Sequence, residues 1–243
     1  MNPGFRLLAS VQREVVGCDA CSRLRKYCAK IAEEKRRAYR EWTYWGKPVP
    51  SFGDPSAGLL IIGLAPGAHG ANRTGRMFTG DPSGDFLFRA LHRTGFASQP
   101  TSRSRDDGLT LHGAYVTAAV RCAPPDNKPL PGEIRNCRRY LERELELLHG
   151  AKVIVALGRI AFDVYLSVFR DRGLIRSRAA YPFAHGREHR IDPSLPVLIS
   201  SYHPSQQNTS TGRLTEEMLY SVFARAKELL CGISADIQPS KLK

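Results

Sequence analysis

The sequence has no apolar run approaching the ~20 residues that a membrane-spanning helix requires, and this excludes a helical span. Nor does it open on a basic stretch followed by an apolar signal core, since it begins Met1-Asn2-Pro3-Gly4. A soluble, cytoplasmic, monomeric protein is the expectation. Acidic side chains are in deficit: 23 Asp and Glu stand against 36 Lys and Arg, a net charge of +13. Such a balance favours a polyanionic partner, because each basic contact with phosphate releases condensed counterions. No basic amphipathic helix with a Trp/Phe face stands out, so a membrane surface is the weaker candidate. Internal repeats are missing, and so are the common phosphate-binding signatures. No Gly-Lys-Ser/Thr closes a Walker loop, and the glycine spacing does not fit a dinucleotide fingerprint.

The chain is 243 residues long, 42% hydrophobic and 24% charged, enough to bury a substantial core. A single domain over 1–243 is expected. Residues 1–57 form a cysteine-bearing helix and loop packed on it, and the tail from about 234 to 243 is frayed. Four short apolar runs read as buried strands: Leu59–Ile62 ended by Gly63, Ala114–Val120, Val153–Leu157 and Val197–Ser201. Helical stretches alternate with them at 83–94, 131–149, 159–170 and 213–230. The segments 42–57, 98–110 and 171–195 read as loops or surface excursions. Strands alternating with helices predict a parallel sheet covered on both faces. Ligands then bind beyond the carboxyl ends of the strands.

Three polar loops follow such ends. The first runs Gly63-Leu64-Ala65-Pro66-Gly67-Ala68-His69-Gly70-Ala71-Asn72-Arg73-Thr74-Gly75-Arg76-Met77-Phe78-Thr79-Gly80-Asp81. Its glycines let backbone approach a ligand closely. The second is Arg121-Cys122-Ala123-Pro124-Pro125-Asp126-Asn127-Lys128-Pro129, by itself a plain turn signal. The third is Tyr202-His203-Pro204-Ser205-Gln206-Gln207-Asn208-Thr209. Each has a bland explanation: Asp81 caps the next helix, Asn127 closes a turn, His203 is structural. Three such loops at one end of one sheet outweigh it.

Six cysteines complete the picture: Cys18, Cys21, Cys28, Cys122, Cys137 and Cys231. In a cytosolic chain they read as metal ligands or buried thiols rather than disulfides. Cys18-x-x-Cys21 is a metal half-site, and Cys122 and Cys137 flank the second loop. Four thiolates can hold zinc or an iron–sulfur cluster. Zinc favours two close pairs, whereas fourteen residues separate Cys122 from Cys137. A redox role for Cys18-x-x-Cys21 is disfavoured, because that pair does not follow a strand. Cys28 and Cys231 read as ordinary thiols in helices.

Taken together, Gly63–Asp81, Arg121–Pro129 and His203–Asn208 resemble the three motifs of the family 5 uracil-DNA glycosylases, and the likeness extends from the N-terminal cysteines to about residue 230. The resemblance implies an α/β fold, a three-layer α/β/α sandwich with a central four-stranded parallel sheet. It also implies a [4Fe–4S] cluster on Cys18, Cys21, Cys122 and Cys137 in preference to zinc, and DNA containing damaged bases as partner. The activity implied is monofunctional: hydrolysis of the N-glycosidic bond of uracil, hypoxanthine and related bases, by base flipping, leaving an abasic site. Under this reading Asp81, Asn127 and His203 are catalytic. Phe78 is a stacking face, Gly63, Ala65 and Ala118 line the base pocket, Asn208 supports the site, and Arg73 and Arg76 contact phosphate or close the pocket. No acidic or amide side chain occurs at 64–66, and Ala118 stands where other branches of the superfamily place an Asn. A pocket without that discriminating pair tolerates several bases. The alternative is a non-catalytic, metal-stapled nucleic-acid-binding protein with the same basic surface.

Overall fold

The structure, a computed structural model, describes residues 3–235. Most of the tail expected to fray lies outside them. Six strands form one sheet: β1 (Phe52–Gly53), β2 (Leu59–Gly63), β3 (Ala114–Ala118), β4 (Val153–Leu157), β5 (Arg187–His189) and β6 (Val197–Ser201). Their order is β1-β3-β2-β4-β6-β5. The four central strands are the four predicted and are mutually parallel. The expected four-stranded sheet is therefore enlarged at both edges, where β1 and β5 run antiparallel to their neighbours. These edges fall in segments read as loops. They are two and three residues long, too short to carry a periodic signal, and brevity is one way that sheets blunt their edges.

All residues of the four central strands are buried. Alternate side chains feed two cores, as the pleat requires. On one face Leu59, Ile61, Val116, Val155 and Ile199 pack with Leu87 and Leu91 of α4 (Pro82–Arg93) and with Leu219 and Phe223 of α8 (Glu216–Ala235). On the other, Leu60, Ile62, Ile154 and Leu198 meet Phe162, Tyr165 and Leu166 of α6 (Arg159–Asp171) and Leu141 of α5 (Pro131–Leu147). The result is the expected three layers. Each fully buried Phe, Leu or Ile contributes roughly 1.5–3 kcal/mol by leaving water.

The N-terminal region, read as one helical stretch, is two helices: α1 (Pro3–Val16) and α2 (Ser22–Glu34). The turn between them carries Cys18 and Cys21. Val11 and Val15 of α1 pack on Tyr140 of α5, and Leu24 and Cys28 of α2 pack on Val120, Cys122 and Ala123. Two single-turn helices, α3 (Ala71–Thr74) and α7 (Gln206–Ser210), sit within the first and third loops. No helix among the described residues is long and apolar enough to cross a membrane.

Candidate active site

Strand register brings the loops together. Gly63 pairs with Ala118 and Leu157 with Ser201. The carboxyl ends of β2, β3, β4 and β6 thus share one rim, from which the three polar loops emerge. Between the loops lies a cavity of about 740 Å³. Asp81, Asn127 and His203 all line it, with Phe78, Ala65 and Ala118.

Asp81 ends the first loop and begins α4. Its Oδ1 accepts a hydrogen bond of 2.9 Å from the Gly84 N–H, an N-cap followed by Pro82 at the first helical position. Oδ2 lies against the backbone of Gly67 and Gly70. A Cβ at Gly67 would stand 2.8 Å from Oδ2, and one at Gly70 would collide with it. Capping thus occupies Oδ1 and leaves Oδ2 out of the Gly84 hydrogen bond, among glycines that line the cavity. Burial raises the Asp81 carboxyl above its ordinary value, against the lowering effect of the Gly84 and Ser83 amides. A nearby like charge, Asp85, adds to the rise, and Arg73 opposes it.

His203 starts the third loop. Its ring is tilted over Phe78, with centroids 5.9 Å apart and an interplanar angle of 30°. Desolvation pushes its pKa down to about 4, so the imidazole is neutral near pH 7. The loop is held from behind: Asn208 Nδ2 donates to the His203 carbonyl at 2.9 Å, and Ser205 Oγ caps the turn at the Asn208 N–H. Asn208 does not line the cavity, and acts through the backbone of His203. Gly158, at φ +93°, gives the loop room: a Cβ there would approach the His203 Cβ to 3.1 Å.

Gly63 also acts indirectly. A Cβ on it would sit 2.7 Å from two atoms of the Phe78 ring, so its bareness lets that ring settle over the strand end. Phe78 holds φ +50°, and Asp126 and Asn127 hold +54° and +56°. Three of the four non-glycine residues in the left-handed region among the described residues thus line this cavity. Such strain gathers where a site dictates the backbone.

The two arginines take other places than the sequence suggests. Arg76 is buried, ion-paired to Asp107 at 2.8 Å and hydrogen-bonded to Ser102, Thr79 and the Arg105 carbonyl. Its donors are used inside the fold, and it does not line the cavity, which corrects the expectation of a phosphate contact or pocket wall. Arg73 donates to the carbonyls of His69 and Gly80, both at 2.8 Å, bracing the loop that ends in Asp81. Its guanidinium lies 3.9 Å from the ring centre of Tyr39 and 4.1 Å from that of Trp42. It borders an adjoining cleft instead. Sequence reasoning missed Arg36, Tyr39, His69 and Lys128, which line the cavity. His69 Nδ1 meets the Tyr44 hydroxyl at 3.1 Å. Its place in the first motif was the available signal; Arg36 and Tyr39 come from a segment that carried none.

Cys18, Cys21, Cys122 and Cys137 border one small pocket beside the second loop. The thiols ring it: among the described residues no three His, Cys, Asp or Glu side chains converge as a ligand set for one metal ion. Three sulfurs accept hydrogen bonds, Cys18 from Arg139 and Cys21 from Asn136 at 3.6 Å, and Cys137 from the Arg121 N–H at 3.2 Å. Burial pushes the Cys137 thiol up to about 12. Cys28 is not among the residues that line the pocket, but its thiol meets that of Cys122 and lies 3.6 Å from the Ala123 carbonyl. Beneath the pocket is a buried polar hub. Arg121 pairs with Glu144 at 2.5 Å, and Glu144 also accepts from Thr117 and Ser51, both at 2.6 Å, and from Gln12 at 2.8 Å. It joins α1, the 42–57 segment, β3, the second loop and α5.

A carboxylate, an amide and a neutral imidazole around a cavity at the rim of a parallel sheet define the class to which comparison leads. A sequence model described as the Uracil DNA glycosylase superfamily matches residues 50–227. The chain belongs to that superfamily. Three similar proteins are type-5 uracil-DNA glycosylases. That of Thermus thermophilus is 52% identical over 88% of this chain and 94% of its own length. That of Mycobacterium bovis is 47% identical over 87% and 78%. That of Pyrobaculum aerophilum is 44% identical over 87% and 88%. It is the type-5 branch, by these likenesses, in which the chain falls.

Proposed function

We propose that the chain is a DNA glycosylase that hydrolyses the bond between C1′ and the base nitrogen of deaminated nucleotides, uracil first among them, and leaves an abasic site. The supporting observation is the common cavity of Asp81, Asn127 and His203. A stacked nucleotide must be extruded to reach it, at a cost of a few kcal/mol. The glycosidic bond then breaks with its electron pair leaving on the base, and a water oxygen bonds to C1′. Positive charge gathers on the sugar and negative charge on the base. Asp81 Oδ2 stabilises the sugar cation and takes the water proton; its raised pKa makes it the stronger base. Asn127 orients the water. His203, being neutral, donates a hydrogen bond to a base oxygen without a buried charge having to be created. Phe78 supplies a face for the base, where stacking is worth about 1–3 kcal/mol.

Breadth of substrate follows from the walls. Ala65 and Ala118 offer no side-chain donor or acceptor, and rejection of a wrong base needs buried polar groups that it would leave unpaired. Hypoxanthine and related bases are therefore included. The four thiols around one pocket, three already accepting hydrogen bonds, fit a [4Fe–4S] cluster better than zinc. When bound, it supplies a covalent clamp joining the α1–α2 turn to the second loop and α5. The hydrolysis asks no electron transfer of it.

A base-release assay on oligonucleotides carrying uracil, hypoxanthine or an undamaged base tests the proposal. Free uracil and hypoxanthine are expected from the wild type. Tight DNA binding with no base released would leave a non-catalytic binder.

A further inference from the structure

Beside the cavity lies a second cleft of about 550 Å³, and Tyr39, Gly80, Asp81 and Pro82 belong to both. Asp81 is thus the partition between two spaces, one of which has no part in the chemistry above. The second cleft is lined by Trp42, Arg73 and Arg103 and, from α4, by Asp85 and Arg89. Trp42 is 37% exposed, unusual for so large an apolar side chain, and it is no loose end. Its ring stacks on the Arg73 guanidinium, and it meets Tyr39 edge to face with centroids 6.4 Å apart. Arg73, 3% exposed, leaves Nη1 without a hydrogen-bond partner. A buried guanidinium nitrogen at a cleft wall calls for an acceptor. Arg103 is exposed, and its charge is not paired among the ion pairs of the described residues.

We propose that this cleft is a subsite for the nucleotide next to the extruded one on the damaged strand. A single-stranded nucleotide offers what each wall lacks: a flat base for Trp42, phosphate oxygens for Arg103 and an acceptor for Arg73 Nη1. Asp81 and Asp85 repel phosphate from their part of the cleft, and Arg89 beside them is already ion-paired to Glu216 at 2.9 Å, so the exposed Arg103 is the cation left to draw the strand. The inference rests on the glycosylase reading and extends it: the enzyme grips the strand on one flank of the lesion through a rigid aromatic–arginine platform.

The test compares single-stranded uracil substrates with both flanks against substrates trimmed on one side or the other, using the full chain. For the wild type, trimming one particular flank lowers kcat/KM about tenfold, mainly through KM. In Trp42→Ala and in Arg103→Ala the ratio between long and trimmed substrate collapses towards one. Arg103→Ala also lowers the slope of log kcat/KM against log salt by about 1. Because Trp42 supports Arg73, the exposed Arg103 is the variant free of folding effects. Intrinsic fluorescence quenched by a uracil-free single strand in the wild type, but not in Trp42→Ala, reports occupancy without turnover. Equal losses on long and trimmed substrates, or an undiminished flank ratio in both variants, overturn the subsite. A wild type that is quenched by single strands yet releases no base would overturn the glycosylase reading while leaving the cleft.

Discussion

At the scale of the residue, Asp81 joins a helix cap to a place in the cavity wall, the two ends of its proposed double role. Oδ1 caps the start of α4, and Oδ2 lies against Gly67 and Gly70 at the cavity wall. Burial raises its pKa, so the ionised form that the proposed hydrolysis needs is the form the folded state holds least well. Asp81→Asn keeps the cap and removes that cost. The expected outcome is turnover lower by about 10²–10⁴-fold with a melting temperature equal to or above the wild type. Asp81→Ala, by contrast, loses about 1 kcal/mol with the cap; calorimetry beside base-release kinetics separates the two. His203 gives a pH prediction. Its folded pKa, about 4, lies below the ordinary 6.5, so the unfolded chain binds the proton more readily. The neutral ring's contribution to stability is complete above pH 6.5 and is lost as pH falls towards 4. Denaturant midpoints of the wild type should fall more steeply across that window than those of His203→Asn. That both residues come to the cavity was legible, because Asp81 closes the first motif and His203 opens the third. The destinations of Arg73 and Arg76 were not: a basic side chain in a polar loop reads as a ligand contact, and only coordinates reveal Asp107 or the Tyr39–Trp42 pair as the partner.

At the scale of the element, the N-terminal helices are attached to the domain through sulfur pocket and polar hub. Cys137→Ala should abolish the broad visible absorbance of the proposed cluster, while Cys231→Ala, which alters an exposed thiol on α8, should retain it. An unchanged spectrum in Cys137→Ala would remove Cys137 from the ligand set. Glu144 has no solvent exposure and answers a buried Arg121. Glu144→Ala leaves that guanidinium uncompensated, and breaking a buried pair in this way costs roughly 3–5 kcal/mol. A fall in denaturant midpoint at unchanged slope would register it. The central strands and the long helices announce themselves by continuous apolar runs and helical periodicity. The antiparallel edges and the break between α1 and α2 do not, since β1, β5 and the intervening turn are too brief for any repeat to emerge. The hub was invisible for another reason: Gln12, Ser51 and Glu144 are far in sequence from one another and from Thr117 and Arg121, and nothing local marks them as partners.

At the scale of the whole molecule, the chain carries an excess of thirteen positive charges, far more than the groups of the proposed site require. The charge serves encounter with the phosphate backbone. Apparent affinity for undamaged DNA should fall linearly on a log–log plot of salt, with a slope near 0.9 per phosphate neutralised, while kcat at saturating substrate changes little. Anisotropy titrations and saturation kinetics at several ionic strengths check both parts. The sandwich itself places the site, because strands running the same way must send their loops to the same rim.

The contact between Asp81 Oδ2 and the bare backbone at Gly67 and Gly70 carries a lesson for redesign. These two positions work as a gauge block that sets how far the carboxylate stands from whatever enters, and even one added methyl would spoil the spacing. Libraries meant to retune base preference should therefore leave 67 and 70 untouched and vary 65 and 118, where the wall is unornamented and new polar groups have somewhere to point.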